Sequence, residues 1–344
     1  MHWTLAAPFI HNLKIDGEWL IPYIDGDRHQ FSIIPRTKPL ANWHTRSSSA
    51  TDYQEWLIYL QHGKDAVKAS EGGVVTVFPQ LASAVGIQQR LSGRRIPVVA
   101  WLFNVGTCPN GMRRWLAQVS LQDIDRFVVH TRRERDMYSQ WLGIPKERFE
   151  FFPYQVSEIP ITYQENTTQP FVAAIGSAHR DFSTLFTAIA KLNLSTVIAS
   201  GPRALAGLEL PTCAQAPLGI GKADCLQLAQ EACINVVPLI PNERVTAAGQ
   251  VTIVEAMRMG RAVIASRCNG IEDYIIHGET GLLVEPQSVE DLVQTLDLLW
   301  NDKELRNRLG QNAMKYAAQH FSDEAAGVAL SKILDEVGNS INQK

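Results

Sequence analysis

The chain has 344 residues, 45% of them apolar and 19% charged, with a formal net charge of -3 and a pI near 6.3. This length and apolar content can bury substantial cores, fit two domains and argue against a disordered chain. The mildly acidic balance excludes the concentrated basic surface that nonspecific nucleic-acid binding needs, and the local basic group "HTRRER" (130–135) reads as a solvated helix start.

The first half alternates strand-type and helix-type segments. "EWLIPYI" and "HQFSIIP" read as strands, "DYQEWLIYLQHGKDAVKAS" as a helix, "GVVTVFP" as a strand and "QLASAVGIQQRLS" as a helix. "RIPVVAWLFN" and "RFVVHT" follow as strands, "RRERDMYSQWLG" as a helix and "RFEFFPYQV" as a strand. That order implies parallel pairing with helices on both faces. Pro35, Pro39 and "RSSS" break the rhythm early and suggest a long loop over the cleft. "SEIPITYQENTTQP" (157–170) is polar, holds two prolines and reads as a hinge.

A second α/β set follows: strand "FVAAIG", helix "DFSTLFTAIAKLN", strand "STVIAS", helix "ADCLQLAQEA", strand "INVVPLI", helix "TIVEAMRMG", strand "RAVIAS" and a short "GIEDYI" helix. After "GETGLLVEP" the pattern is helical to the end. The expected divisions are an amino-terminal Rossmann-like domain over 1–160, a carboxyl-terminal one over 170–318, and a terminal helix over 319–344 that crosses back to the first. A nucleotide is expected at the carboxyl ends of the second domain's strands.

Cys108, Cys213, Cys225, Cys233 and Cys268 are odd in number and lack close-paired metal spacing. They read as reduced thiols of a cytoplasmic protein, with no disulfide and no metal site expected. The amino end lacks a signal-peptide pattern, and no run approaches 18 apolar residues, so no spanning helix is expected. Its aromatic content leaves transient membrane-surface contact open.

The stretches "IGSAHRDFSTLFTAIAKL", "APLGIGKADCLQLAQEACINVVPLI" and "GQVTIVEAMRMGRAVIASRCNGIEDYIIHGETGLLVEP" together resemble the GT-B glycosyltransferases, specifically the large retaining family often called family 4. The resemblance implies two Rossmann-like domains facing a central cleft and a nucleotide-sugar held by the second, without a metal. Glu255 then matches the second glutamate of the E-x7-E signature, which accepts hydrogen bonds from ribose hydroxyls. A carboxylate beside an apolar helix also needs partners on physical grounds. Gly249, Gln250, Val251 and Thr252 form the strand-to-helix turn, where backbone N–H groups and the helix dipole favour a diphosphate. Thr252 is equally explained as an ordinary cap.

Counting back from Glu255, Ala247 stands where the signature has its first glutamate. Glu243 is a candidate to reach the same space from a shifted loop, with Arg244 a candidate for a salt bridge or phosphate contact. The basic diphosphate contact falls on Arg180, because Ser177 occupies the family's other basic position; Arg203 is a weaker second candidate. His179 either touches the phosphates or orients the loop, and Asp181 reads as a helix cap. Gly219 and Ile220 match the segment that reads the nucleobase. Glu272 is a sugar-side candidate, with Asp273 and Tyr274 equally suited to holding their short helix. On the acceptor side Asn104 stands at a strand end, and His130 at another is either an acid–base group or a packed histidine.

The resemblance implies transfer of a sugar, glucose first, from a UDP-sugar to a saccharide or lipid-linked saccharide acceptor. A nucleotide-sugar epimerase or hydrolase of the same fold, and a binding subunit that has lost catalysis, remain alternatives.

Overall fold

The computed structural model of the chain describes residues 1–10, 19–38 and 51–342. Pro39 and "RSSS" of the expected loop lie outside those residues. The chain forms two compact units, Met1–Phe152 with Asp323–Lys344, and Pro153–Ser322.

In the first unit six strands, β1 (His2–Ala6), β2 (Gln30–Ile34), β3 (Gly73–Val77), β4 (Val98–Trp101), β5 (Arg126–Val129) and β6 (Phe149–Phe151), pair in the order β2-β1-β3-β4-β5-β6. Every pairing is parallel, as the alternating pattern implies. Helices α1 (Tyr53–Ala69), α2 (Pro79–Ser92), α3 (Met112–Leu121) and α4 (Arg132–Leu142) connect strands β2 to β6. Reciprocal capping boxes, Asp52 with Glu55 and Thr131 with Glu134, fix the starts of α1 and α4. In the core between sheet and helices Phe127 stacks on Phe149, and Phe103 meets Phe127 and Tyr138 edge to face.

Two local expectations fail here. The segment "EWLIPYI" carries a 3-10 turn, Ile21–Tyr23, instead of a strand, because Pro22 at its start removes a donor and fixes φ. A further strand not named from the sequence is β1, the largely buried "HWTLA" run.

In the second unit β7 (Val172–Ile175), β8 (Thr196–Ala199), β9 (Ala214–Gln215), β10 (Ile234–Val237), β11 (Val263–Ser266) and β12 (Leu282–Val284) pair in the order β12-β11-β10-β7-β8-β9, again all parallel. Read from the other edge, this is the 3-2-1-4-5-6 order of the doubly wound dinucleotide-binding fold. Its helices are α5 (Phe182–Leu192), α6 (Pro202–Leu205), α7 (Lys222–Glu231), α8 (Gln250–Arg258), α9 (Val289–Asn301) and α10 (Lys303–His320). Asp181 caps α5 by accepting from Thr184 N at 3.1 Å.

The segment 157–170 is not a free connector. Gln230 Oε1 accepts from the amides of Thr162 and Tyr163 at 2.9 and 3.0 Å, and Glu165 pairs with the buried Arg306 guanidinium at 2.7 Å. The segment therefore belongs to the second unit, and the division falls between Phe152 and Pro153. The last helix, α11 (Asp323–Asn342), packs in the first unit, where Asp335 pairs with Arg28 and accepts from His29 Nε2 at 3.1 Å.

Candidate nucleotide-sugar site

In the second sheet the chain moves from β7 toward one edge through β8 and β9, then returns to start β10 on the other side of β7. The carboxyl ends of β7 and β10 therefore diverge, and a crevice forms between their loops. The two loops are sewn together at their bases. Ile240 N donates to His179 O at 3.0 Å, Asp181 N donates to Pro238 O at 3.0 Å, and Arg180 forms a backbone bridge with Leu239.

Arg180 is 8% exposed, and its guanidinium folds back over the end of β7. Nε and Nη2 donate to Ile175 O at 3.1 and 2.9 Å, Nη1 to Ala178 O at 3.1 Å, and Nη2 to Thr252 Oγ1 at 3.2 Å. All four acceptor contacts are with neutral oxygens. Burial alone lowers its pKa, to about 10, so the group remains a cation at neutral pH. Among the described residues no carboxylate lies in an ion pair with it, and a buried cation of this kind favours an incoming anion. Gly176 makes the fold-back possible: at φ +102 it has no Cβ, which would otherwise lie 2.4 Å from Arg180 Nη2.

The anion's other support is the start of α8. Gly249, at φ +91, turns the chain from the β10 loop into the helix, and a Cβ there would lie 3.0 Å from Val237 Cγ1. The first-turn amides of α8, from Gln250 to Thr252, have no carbonyl one turn back to pair with, and they carry the positive end of the helix dipole. Arg180 and this turn thus present positive potential to the same crevice through Thr252. Val251 is exposed there. The Gln250 side chain is turned inward and donates to Asn269 O at 3.0 Å, so only its backbone faces the turn.

One helical turn beyond Thr252, on the same face, stands the half-buried Glu255. Its carboxylate is in an ion pair with Lys222, the first residue of α7. That contact brings the Gly219–Ile220–Gly221 loop, with Gly219 in the left-handed region at φ +73, next to Glu255. Lys222 was invisible to motif reading. Its signal is a cation in the first turn of a helix, where the dipole disfavours positive charge and a carboxylate partner is needed.

The remaining second-unit candidates divide by role. Ser177 Oγ accepts from Gly201 N at 2.7 Å and lies 3.0 Å from Ser200 Oγ, so it orders the turn into α6 that carries the exposed Arg203. His179 is exposed and left-handed at φ 56; burial and then Arg180 lower its pKa. Glu243 and Arg244 are exposed beyond Ile240. Asn269, also left-handed, ties that loop down: Nδ2 donates to Ile240 O at 3.0 Å and Oδ1 accepts from Asn242 N at 3.3 Å. Glu272 is exposed on the 3-10 turn Ile271–Asp273, whereas Tyr274 is buried and its hydroxyl accepts from Tyr154 N at 2.8 Å.

In the first unit Asn104 follows β4, and its Oδ1 accepts from Gly106 N at 2.6 Å, shaping the local turn. His130 is corrected as an acid–base candidate. It is 2% exposed, its Nδ1–H donates to Phe152 O at 2.9 Å, and burial pushes its pKa down to about 4. The ring is a neutral packing element at the end of β5. Among the described residues no group of three or more His, Cys, Asp or Glu is placed to hold a metal ion, and all five cysteines are free thiols.

Residues 237–316 match the family model described as Glycosyl transferases group 1. The alpha-D-kanosaminyltransferase of Streptomyces kanamyceticus is 35% identical over 88 residues, 26% of this chain and 23% of that protein, so the match spans about a quarter of the relative's length. Sucrose-phosphate synthase from Thermosynechococcus elongatus superposes with a TM-score of 0.71 at 16% identity, covering 99% of this chain and 100% of that one. Anabaena HepE in complex with UDP-glucose superposes with a TM-score of 0.64 at 15% identity, covering 100% and 99%. The chain therefore has the GT-B fold of two Rossmann-like units, and its second unit is related to the glycosyl transferases group 1 family.

Proposed function

We propose that the chain is a retaining glycosyltransferase that moves a hexose, glucose first, from a UDP-sugar to a saccharide or lipid-linked saccharide acceptor. The observation that carries this reading is the buried Arg180 cation beside the start of α8, with Glu255 one turn further along the same helix face. Together they match the charge sequence of a nucleoside diphosphate: anionic phosphates at the helix start, then ribose hydroxyls at a carboxylate. The Gly219–Ile220 loop is then next in line for the base, where backbone groups suit a uracil edge. The kinship of the second unit and the likeness to HepE with UDP-glucose support the same donor class.

In this reading the C1–O bond to the diphosphate breaks and its electron pair leaves with the phosphate. Arg180 and the α8 amides stabilise the growing negative charge. The acceptor hydroxyl attacks C1 on the face the diphosphate leaves, and its proton passes to a diphosphate oxygen. No separate base is required, which accords with the burial of His130. Glu243 is proposed to approach the donor sugar from the exposed loop after β10, with Glu272 on the neighbouring turn. The reaction is proposed to need no metal, and free thiols fit a cytoplasmic setting, with contact to a membrane surface when the acceptor is lipid-linked.

Ala247, at the place of the signature's first glutamate, favours one second reading, a nucleotide-sugar-binding subunit without turnover. NMR of UDP-glucose with the protein separates the two: slow release of α-glucose that then mutarotates supports the transferase, whereas binding without release in any acceptor pool supports the subunit.

A further inference from the structure

Helix α3 has two apolar faces, and among the described residues only one of them packs on the core. Ala117 and Leu121 face inward and pack on the first unit's core. On the opposite side Met112, Trp115 and Leu116 are 70%, 55% and 52% exposed, at the i, i+3, i+4 spacing of a single stripe that Val119 continues. Scattered exposed apolar residues are ordinary, but a Trp, a Met and a Leu in register on one short helix form a patch. At the far end of the helix Arg90, from the end of α2, lies 3.3 Å from Gln122 Oε1.

The charges on the helix and around its ends are mostly of one sign. Arg113 projects from the helix itself and is exposed. Arg114 caps the end of α4, donating to Trp141 O at 2.8 Å and Gln140 O at 3.1 Å. Arg148 donates to Gln122 O at 2.9 Å, and Arg90 pairs with Asp123 at 2.9 Å. Four arginines thus meet two carboxylates, Asp123 and Asp125, among the groups on the helix and around its carboxyl end. Met, Leu and Trp backed by arginines are the composition of a helix lying in the interface of an anionic bilayer, with the tryptophan at headgroup depth. Among the described residues no helix is long and apolar enough to cross a membrane, so contact of this helix would be along the surface.

We infer that the exposed face of α3 docks the chain on an anionic lipid surface, with Trp115 and Leu116 inserted and Arg113 at the phosphate level. Its purpose rests on the lipid-linked acceptor of the proposed function; its geometry does not. The test is flotation of the full chain with vesicles of phosphatidylcholine, with and without phosphatidylglycerol. The wild type is expected to float with the anionic vesicles and to be released by salt. The double variant Trp115→Ser, Leu116→Ser is expected to lose binding by about tenfold or more, since its lost transfer energy comes from apolar area alone. Arg113→Glu is expected to weaken binding to the anionic vesicles only. UDP binding, measured in parallel, is expected to be unchanged in all variants, because its site lies in the other unit. Absence of flotation, flotation indifferent to the double variant, or a self-association that the same variant abolishes would overturn the inference, the last by showing that a second copy covers the face. UDP binding without flotation would sink the membrane face alone, and flotation without UDP binding would leave it standing.

Discussion

Arg180 is the residue on which the nucleotide reading turns. It is desolvated, charged and hydrogen-bonded only to neutral oxygens in the contacts described above, so a phosphate anion gains more there than at a surface arginine. Arg180→Ala is expected to weaken UDP binding by about 10- to 100-fold, the range of hydrogen bonds to charged groups. Titration calorimetry with UDP checks this, with Arg203→Ala, on an exposed turn, expected to change affinity far less. Glu255 is proposed to meet a different part of the ligand, the ribose. Glu255→Gln is expected to lose about tenfold in affinity for UDP while leaving 2'-deoxy-UDP nearly unchanged. An equal loss for both ligands would assign Glu255 to holding Lys222 instead of ribose.

At the scale of elements, the turn between β10 and α8 makes the site, and Gly249 makes the turn. Gly249→Ala places a side chain at φ +91 and crowds Val237, and is expected to cost about 1–3 kcal/mol of second-unit stability. Urea unfolding followed by circular dichroism measures it. Most of these elements were legible in the sequence because most strands are short buried runs and several helices begin at a cap or a glycine, as at Asp52, Thr131, Asp181 and Gly249. Helix α3 was not, since its outward stripe is apolar and "GMRRWLAQVSL" sits between two stronger strand signals. Within the candidate site, Glu255, Arg180 and the α8 turn were named from the family resemblance, and Arg180 and Thr252 are in contact, whereas the Lys222–Glu255 pair depends on two loops meeting across 33 residues. His130 shows the opposite limit. Its position at a strand end suggested chemistry, and only burial reveals a packed ring.

At the scale of the whole chain, buried histidines tie stability to pH. His130 has a folded pKa near 4, below its usual 6.5, so the folded state stays neutral while the unfolded state takes up a proton. Its contribution is intact above pH 6.5 and is lost as pH falls toward 4, by up to about 3 kcal/mol. His29 and His62, both buried, are also lowered, chiefly by burial, and add with the same sign. Urea midpoints are therefore expected to fall through this acid range, and His130→Asn to flatten part of the slope. A slope unchanged by that substitution would assign the acid sensitivity to other groups.

Calorimetric titration of the intact chain with UDP, GDP, ADP and CDP, repeated for Arg180→Ala, tests the central claim most directly. The proposed UDP-sugar donor predicts that UDP binds best, and the buried Arg180 beside the start of α8 predicts that the substitution removes most of that affinity. Absence of binding by every diphosphate, or UDP binding indifferent to Arg180, would contradict it.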